Sequence, residues 1–394
     1  MILINLLLGL LLSRFVHVRA ARIKPMICYD YSSPIHPHYG GLVDCTLKGP
    51  RRRIRHSKRL PVALNATDNN FQLNLSCNET LHPCDKIRQS FQTAFDLISN
   101  VIILKQQISV SAELSELPPD IIGGAFPSRQ IPRLDPDHIT RLYPQALFKQ
   151  SGNQDAEYAT SDIHAVFNSD MDFWYMGDGT IREDQFDFLY VIVHELMHGL
   201  GVTTSWGLLP DEKSLAPLEY NMNTGEVLGF METSFDRYLI SSTKKFNTLY
   251  ENMSEFFTTT KSTYKNMDDF LGVFNTSDQY SLALDSYRLA TTPRSLEFQM
   301  NNNQTIVLET NFNGQFLPGS SLTHFDYITY KNSSDFLMTF YNEPGVNINQ
   351  IIQQTNEYFT SPIGPLLTNL LQTIGYETNP NPRNYKEILK IQPS

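Results

Sequence analysis

Two imidazoles and a carboxylate stand close together in Val191-Ile192-Val193-His194-Glu195-Leu196-Met197-His198-Gly199-Leu200-Gly201. On a helix, side chains at i and i+4 lie one above the other. His194 and His198 therefore face one point, with Glu195 at the edge of the same face. This pattern is half of a zinc site. A catalytic zinc takes three protein ligands plus a water whose pKa it lowers to about 7, and Glu195 is placed to take the proton of that water. His324 is expected as the third ligand, because it is the one histidine after His198, whereas His82, His138 and His164 all precede the helix. Its neighbours Gly319, Ser320, Ser321 and Thr323 are small or hydroxylated and let the backbone approach a metal, and Asp326 is a candidate acceptor to orient a ring. A carboxylate ligand, Glu232, is the rival, 34 residues after His198.

The surrounding elements must hold these groups in place. Phe186, Phe188, Leu189, Tyr190, Val191, Ile192 and Val193 make the first turns of the helix apolar on nearly every side, which predicts a buried helix. Asp187 is its expected N-cap, and Gly201 suits a left-handed stop that turns the later chain beneath the metal. Upstream, Ile87, Phe91, Ala94, Phe95 and Ile98 recur at helical spacing, and Ile108, Val110, Ala112 and Leu114 alternate as in a strand. Gly123-Gly124 with Pro127, Pro132, Pro136 and Pro144 predict a long irregular connection. Ile163, Ala165 and Phe167 predict a further strand; in many zinc peptidases such a strand edges the cleft, which would leave its free backbone groups open to an extended peptide. His164 on that strand is expected to be packed or exposed rather than a ligand. Residues 241–320, rich in Thr, Asn and Ser, carry no strong period and predict an elaborated insert. Pro365 and Gly375 bracket a closing helix with the stripe Leu366, Leu367, Leu370, Leu371 and Ile374.

With 394 residues and 41% apolar content, the chain can bury one large or two modest cores, and one catalytic unit in two parts is expected, 60–202 with the zinc helix and 203–394. Residues 1–20 resemble a secretory signal peptide. Sequons at Asn65, Asn74, Asn78, Asn252, Asn275, Asn303 and Asn332 agree with a secreted, extracellular glycoprotein. In such a protein Cys28, Cys45, Cys77 and Cys84 suggest two disulfides. Three connectivities are open, and the local pairs Cys28–Cys45 and Cys77–Cys84 are favoured. No apolar run after the signal is long enough to span a bilayer, so no membrane span is expected in the mature protein, which should be a monomer. Residues 1–59 hold 11 of the 31 Lys and Arg but only two acids, leaving 20 basic against 39 acidic residues from Leu60 onward, a balance that argues against a nucleic-acid partner. The basic run Arg51 to Arg59 reads in two ways. Either 21–59 is a prosegment of a zymogen cut at Arg55 or Arg59, or the run is a solvated loop or an arm docked on the acidic body.

Taken together, His194 to Gly201, Phe235-Asp236-Arg237-Tyr238, Ser320 to Asp326, Leu337-Met338 and Gly364 to Tyr376, with Phe167-Asn168-Ser169 and Trp174-Tyr175 upstream, resemble secreted zinc metallopeptidases of the metzincin type. The resemblance is to those with a long insertion before the third histidine, as in leishmanolysin, and spans about residues 85–376. Where the compact metzincin pattern has its third histidine, this chain has Thr204. The resemblance implies an α+β, zincin-like fold: an N-terminal part of twisted mixed sheet and two helices over an irregular C-terminal part, with the cleft between. It also implies a peptide or protein substrate, peptide-bond hydrolysis with Glu195 as the base, and Met338 as the methionine of a turn beneath the zinc. The alternative is a catalytically silent glycoprotein that keeps the fold as a binding module. N-terminal sequencing of the secreted protein separates the readings of the basic run: a mature chain starting just after Arg55 or Arg59 is expected for a prosegment, and an active chain starting at Ala21 rules it out.

Overall fold

The computed structural model describes residues 26–31, 40–46, 70–152, 156–221, 224–241, 246–310, 312–355 and 361–390. The signal-peptide stretch, the basic run with Arg55 and Arg59, and the sequon at Asn65 lie outside them. The chain folds as a mixed α+β protein with several small sheets.

In chain order its first half includes β1 (Ile27–Tyr31), β2 (Gly40–Asp44), β3 (Phe71–Ser76), α1 (Cys84–Val101), β4 (Ile102–Ile103), β5 (Ile108–Ser115), β6 (Gly123–Pro127), β7 (Arg129–Leu134), β8 (Thr140–Pro144), α2 (Gln145–Gln150), β9 (Ile163–Asn168) and α3 (Phe188–Leu200). β3, β5 and β9 run parallel, and β6 closes the sheet antiparallel to β9, in the order β3-β5-β9-β6. Alternation explains β5: Ile108, Val110 and Ala112 are buried, while Ser109 and Ser111 between them are half-buried. α1 is the crossover between the parallel neighbours β3 and β5, as parallel strands require. α1 and α3 pack through aromatic rings, with Phe91 edge-on to Phe188 at 6.4 Å between centroids and Phe167 of β9 edge-on to both, at 5.7 Å and 5.2 Å. The disulfides are Cys28–Cys45, across the β1–β2 hairpin, and Cys77–Cys84, which ties the end of β3 to the start of α1.

Two expectations are corrected here. The stretch from Gly123 to Pro144 is not an irregular connection, since it forms β6, β7 and β8. Pro132 is tolerated in β7 because β1 pairs only with Arg129 and Gln130, so no donor is demanded on that side. The strand Ile163–Asn168 does not edge the cleft, because β9 is enclosed between β5 and β6, and the edge is β6.

β1 and β2 extend a second sheet, β2-β1-β7-β8, and Arg129 forms an ion pair with Asp30 of β1. The expected insert 241–320 holds regular structure, with helices Phe246–Thr259, Met267–Phe274 and Tyr280–Ala290 and strands Leu296–Gln299 and Thr305–Val307. Its period was weak because these elements are short and bury rings against one another: Phe256, Phe270, Phe274 and Phe230 form a contiguous aromatic cluster. The second half is thus less irregular than the resemblance implied. Pro365–Ile374 is a helix as expected, ending at Gly375 with φ 129°. Asn74, Asn78, Asn252, Asn275, Asn303 and Asn332 are all exposed, although Asn74 stands on a strand and Asn252 on a helix rather than in loops. Among the described residues no helix is long and apolar enough to cross a membrane.

Gly199 explains how closely the central helix lies on the sheet, since a Cβ there would stand 2.4 Å from Cγ2 of Ile163 on β9. Gly199→Ala is therefore expected to cost ~1–3 kcal/mol by overpacking. Urea unfolding measures it, and an unchanged midpoint contradicts the close approach.

Candidate metal centre

α3 is held at both ends. The Asp187 carboxylate accepts from the backbone N–H of Leu189 at 3.0 Å and of Ile348 at 2.8 Å, and Gly201 closes the helix with φ 124°. The Tyr376 hydroxyl donates to the carbonyl of Leu200 at 2.9 Å, so the far end of the chain braces the same helix. Beyond Gly201, Asp236 gathers the chain by accepting from the Thr204 hydroxyl at 2.6 Å, the Ser205 N–H at 3.0 Å and the Thr233 N–H at 2.9 Å. Thr204 is committed there.

His324 reaches α3 from the second half of the chain. Leu322, fully buried, takes the left-handed φ of 70° just ahead of it, a conformation a branched side chain adopts only when its surroundings impose it. The carbonyl of His324 accepts from Glu309 N–H at 2.8 Å, and Phe325 N–H donates to the carbonyl of Met338 at 2.8 Å. Met338 is fully buried in the short turn Phe336–Met338.

The three rings meet. Nε2 of His324 lies 3.1 Å from Nε2 of His194 and 3.3 Å from Nε2 of His198. These are not hydrogen bonds. His194 Nδ1 lies 2.7 Å from the carbonyl of Leu337, His198 Nδ1 2.7 Å from that of Val202, and His324 Nδ1 2.9 Å from that of Ser320. A carbonyl only accepts, so each proton sits on Nδ1 and each Nε2 presents a bare lone pair. The Thr323 hydroxyl does not change this for His324, because it donates to the carbonyl of Gly319 at 3.2 Å. Burial, with the adjacent His198, pushes His194 down to about 3, and burial alone pushes His198 down to about 4. His324 is held well below its ordinary value by burial and by the other two rings. Three neutral rings with converging lone pairs repel unless a cation lies between them. Metal–nitrogen bonds of 2.0–2.1 Å at tetrahedral angles separate neighbouring nitrogens by about 3.3 Å, so the donor set fits a nitrogen-liganded tetrahedral cation.

Glu195 is buried in the same cleft and accepts from the backbone N–H of Ala125 on β6; burial pushes it up to about 8. The cleft has a volume of about 730 Å³ and runs along β6, past the histidines, to Thr339 and Asn342. Glu232 is elsewhere engaged. It is fully buried and accepts from Arg141 Nε at 3.1 Å, and it is not in the converging group of side chains that could hold a metal ion. Asp326 does not orient the His324 ring, which the Ser320 carbonyl holds instead; its carboxylate caps Thr329 N–H at 2.9 Å and pairs with Arg294 at 3.2 Å. His164 is half-buried on β9, outside the cluster. The three carbonyls that hold the rings, and the β6 edge, escaped the sequence reading, because backbone acceptors leave no residue signature.

The sequence profile of the SPBPB7E8-like family matches residues 28–223 and 212–392. The chain belongs to that family. It is similar to an uncharacterised protein of Schizosaccharomyces pombe, 29% identical over 365 residues, which cover 80% of this chain and 64% of that protein. The chain thus spans less than two thirds of that relative's length. No solved structure matches it.

His324→Ala is expected to lower metal affinity by more than the ~10–100-fold that loss of a ligand's own hydrogen-bond partner costs. Glu232→Ala should keep the metal and lose stability, because Arg141 is left short of a buried partner. Metal content by mass spectrometry decides, and the reverse pattern assigns the third ligand to Glu232.

Proposed function

We propose that the protein is a secreted zinc-dependent endopeptidase of metzincin-like α+β fold. The observation that carries the reading is the convergence of three Nε2 lone pairs beside a buried carboxylate in an open cleft. His194, His198 and His324 would hold the zinc, which when bound supplies Lewis acidity and a water with a pKa near about 7. Glu195, steadied by Ala125 N–H, takes the proton of the attacking water and hands it to the departing amine. The Leu337, Val202 and Ser320 carbonyls keep each ring in the tautomer that leaves Nε2 free. β6 offers the substrate a strand to pair with: it is the edge of its sheet, and Gly123 to Pro127 all line the cleft, so an extended peptide adds there as the next strand. Met338 belongs to the turn whose Leu337 carbonyl orients His194, which supports its reading as the methionine turn. Two disulfides and six exposed sequon asparagines support export, and the substrate is a peptide or protein acted on by a monomer.

The test is a zymogram of the secreted protein with and without chelator, together with Glu195→Gln. The variant should retain its zinc and lose at least the ~10²–10⁴-fold that general-base catalysis contributes. Wild-type turnover by Glu195→Gln, or hydrolysis indifferent to chelator, would sink the mechanism.

A further inference from the structure

Outside the metal centre, most acids buried among the described residues have internal partners. Asp135 and Glu232 meet Arg141 and Asp137 meets it at the surface, Asp162 meets Lys149, Asp187 caps α3, and Asp236 accepts from hydroxyls and backbone N–H groups. Glu219 differs. It stands on the short strand Leu218–Tyr220, half-buried in the wall of the cleft that holds the histidines, and among the described residues it makes no hydrogen bond or ion pair. Among the described residues the cleft wall contains Asp120, Glu195 and Glu219 but no lysine or arginine. Burial pushes the Glu219 carboxyl up to about 8. Tyr29 and Tyr31 of β1 also line the cleft. Both hydroxyls are raised by burial and then by the negative charge of Glu219, which lines the same cleft. Tyr220, next to Glu219, also lines the cleft.

We propose that Glu219, with Tyr29, Tyr31 and Tyr220, forms a subsite for a cationic side chain, arginine or lysine, of the peptide bound in the cleft. A carboxylate half withdrawn from water without a partner carries a cost, and an entering cation offsets it by pairing with the carboxylate. Tyrosine faces add cation–π attraction, and their apolar rims cover the aliphatic stem of a long basic side chain. A neutral or acidic side chain does neither. The whole body favours the same choice, with 39 acidic against 20 basic residues from Leu60 onward. This inference names the substrate class of the proposed peptidase and rests on that reading for its use, but the subsite itself is a matter of binding.

Binding is therefore the readout. Fluorescent, N-acetylated, C-amidated peptides with a single arginine scanned through their length are compared with the same peptides carrying citrulline, its neutral isostere. The protein used is the secreted chain that retains residues 27–46. At the best position the arginine peptide should bind about 10–100-fold more tightly than its citrulline twin, the range for a charge-assisted pair out of bulk water. In Glu219→Gln the ratio should fall to about one. A citrulline peptide with a free amino terminus distinguishes the other source of a cation: if it alone binds tightly, the subsite reads an α-amine and the inference is overturned. Equal arginine and citrulline affinities in the wild type also overturn it, even if the variant does not fold, as does a preference that survives Glu219→Gln. Hydrolysis is followed in parallel. Selective binding without cleavage defeats the peptidase reading and leaves the subsite standing, whereas cleavage without selectivity does the opposite.

Discussion

Three imidazoles turned so that their lone pairs point at one another are a constraint that the rest of this structure serves. Left to themselves, neutral histidines 3.1–3.3 Å apart at Nε2 would tilt until a proton lay between them. Here they cannot, because each Nδ1–H is already held by a backbone carbonyl from a different stretch: Val202 just after α3, Ser320 ahead of His324, and Leu337 in the turn near Met338. Fixing those carbonyls requires the reversal at Gly201, the left-handed Leu322 and the turn Phe336–Met338. That turn is anchored in its own right. The Asp335 carboxylate caps the closing helix by accepting from Leu366 and Leu367 N–H, and the Tyr190 hydroxyl of α3 donates to the carbonyls of Phe336 and Leu337.

The two halves of the chain meet through a second polar arrangement. Arg141 on β8 is fully buried and reaches Asp135 at 3.1 Å, Asp137 at 2.8 Å and Glu232 at 3.1 Å. The backbone runs with it, as Leu142 N–H donates to the carbonyl of Glu232 and Ser234 N–H to that of Leu142, both at 2.8 Å. A buried guanidinium with one carboxylate from the second half is a poor source of net stability but a strict one for register, since any slip leaves a charge unpaired away from water. Asp236, four residues on from Glu232, gathers Thr204, Ser205 and Thr233 by the same logic. The consequence for the site is that the chain leaving α3 is held to the same short segment that pairs with β8.

The helix carrying His194, Glu195 and His198 was legible in the residues, because an i, i+4 pair on an all-apolar helix with an Asp start and a Gly stop needs only local geometry. The same holds for α1, β5, β9 and the closing helix, each marked by its own period, and for the two local disulfides. β6, β7 and β8 were not legible, since Gly123-Gly124 and the prolines carry turn chemistry and the strands they interrupt are defined by partners elsewhere in the chain. The three helices between Phe246 and Ala290 were hidden for a related reason, as their rings bury against each other rather than along one long stripe.

By itself, then, the sequence determined the donor types, the pairing of two histidines with a carboxylate on one helix, and the short list of candidates for a third member of the group. Only the tertiary structure decided that His324 meets them while Glu232 turns to Arg141, that backbone carbonyls rather than Asp326 orient the rings, and that β6 rather than β9 borders the cleft. The physical reason is one of range. Helical spacing and capping act over a turn or two of chain and leave a period, whereas the approach of His324 to His194 across 130 residues depends on packing and backbone hydrogen bonds that no single residue type announces.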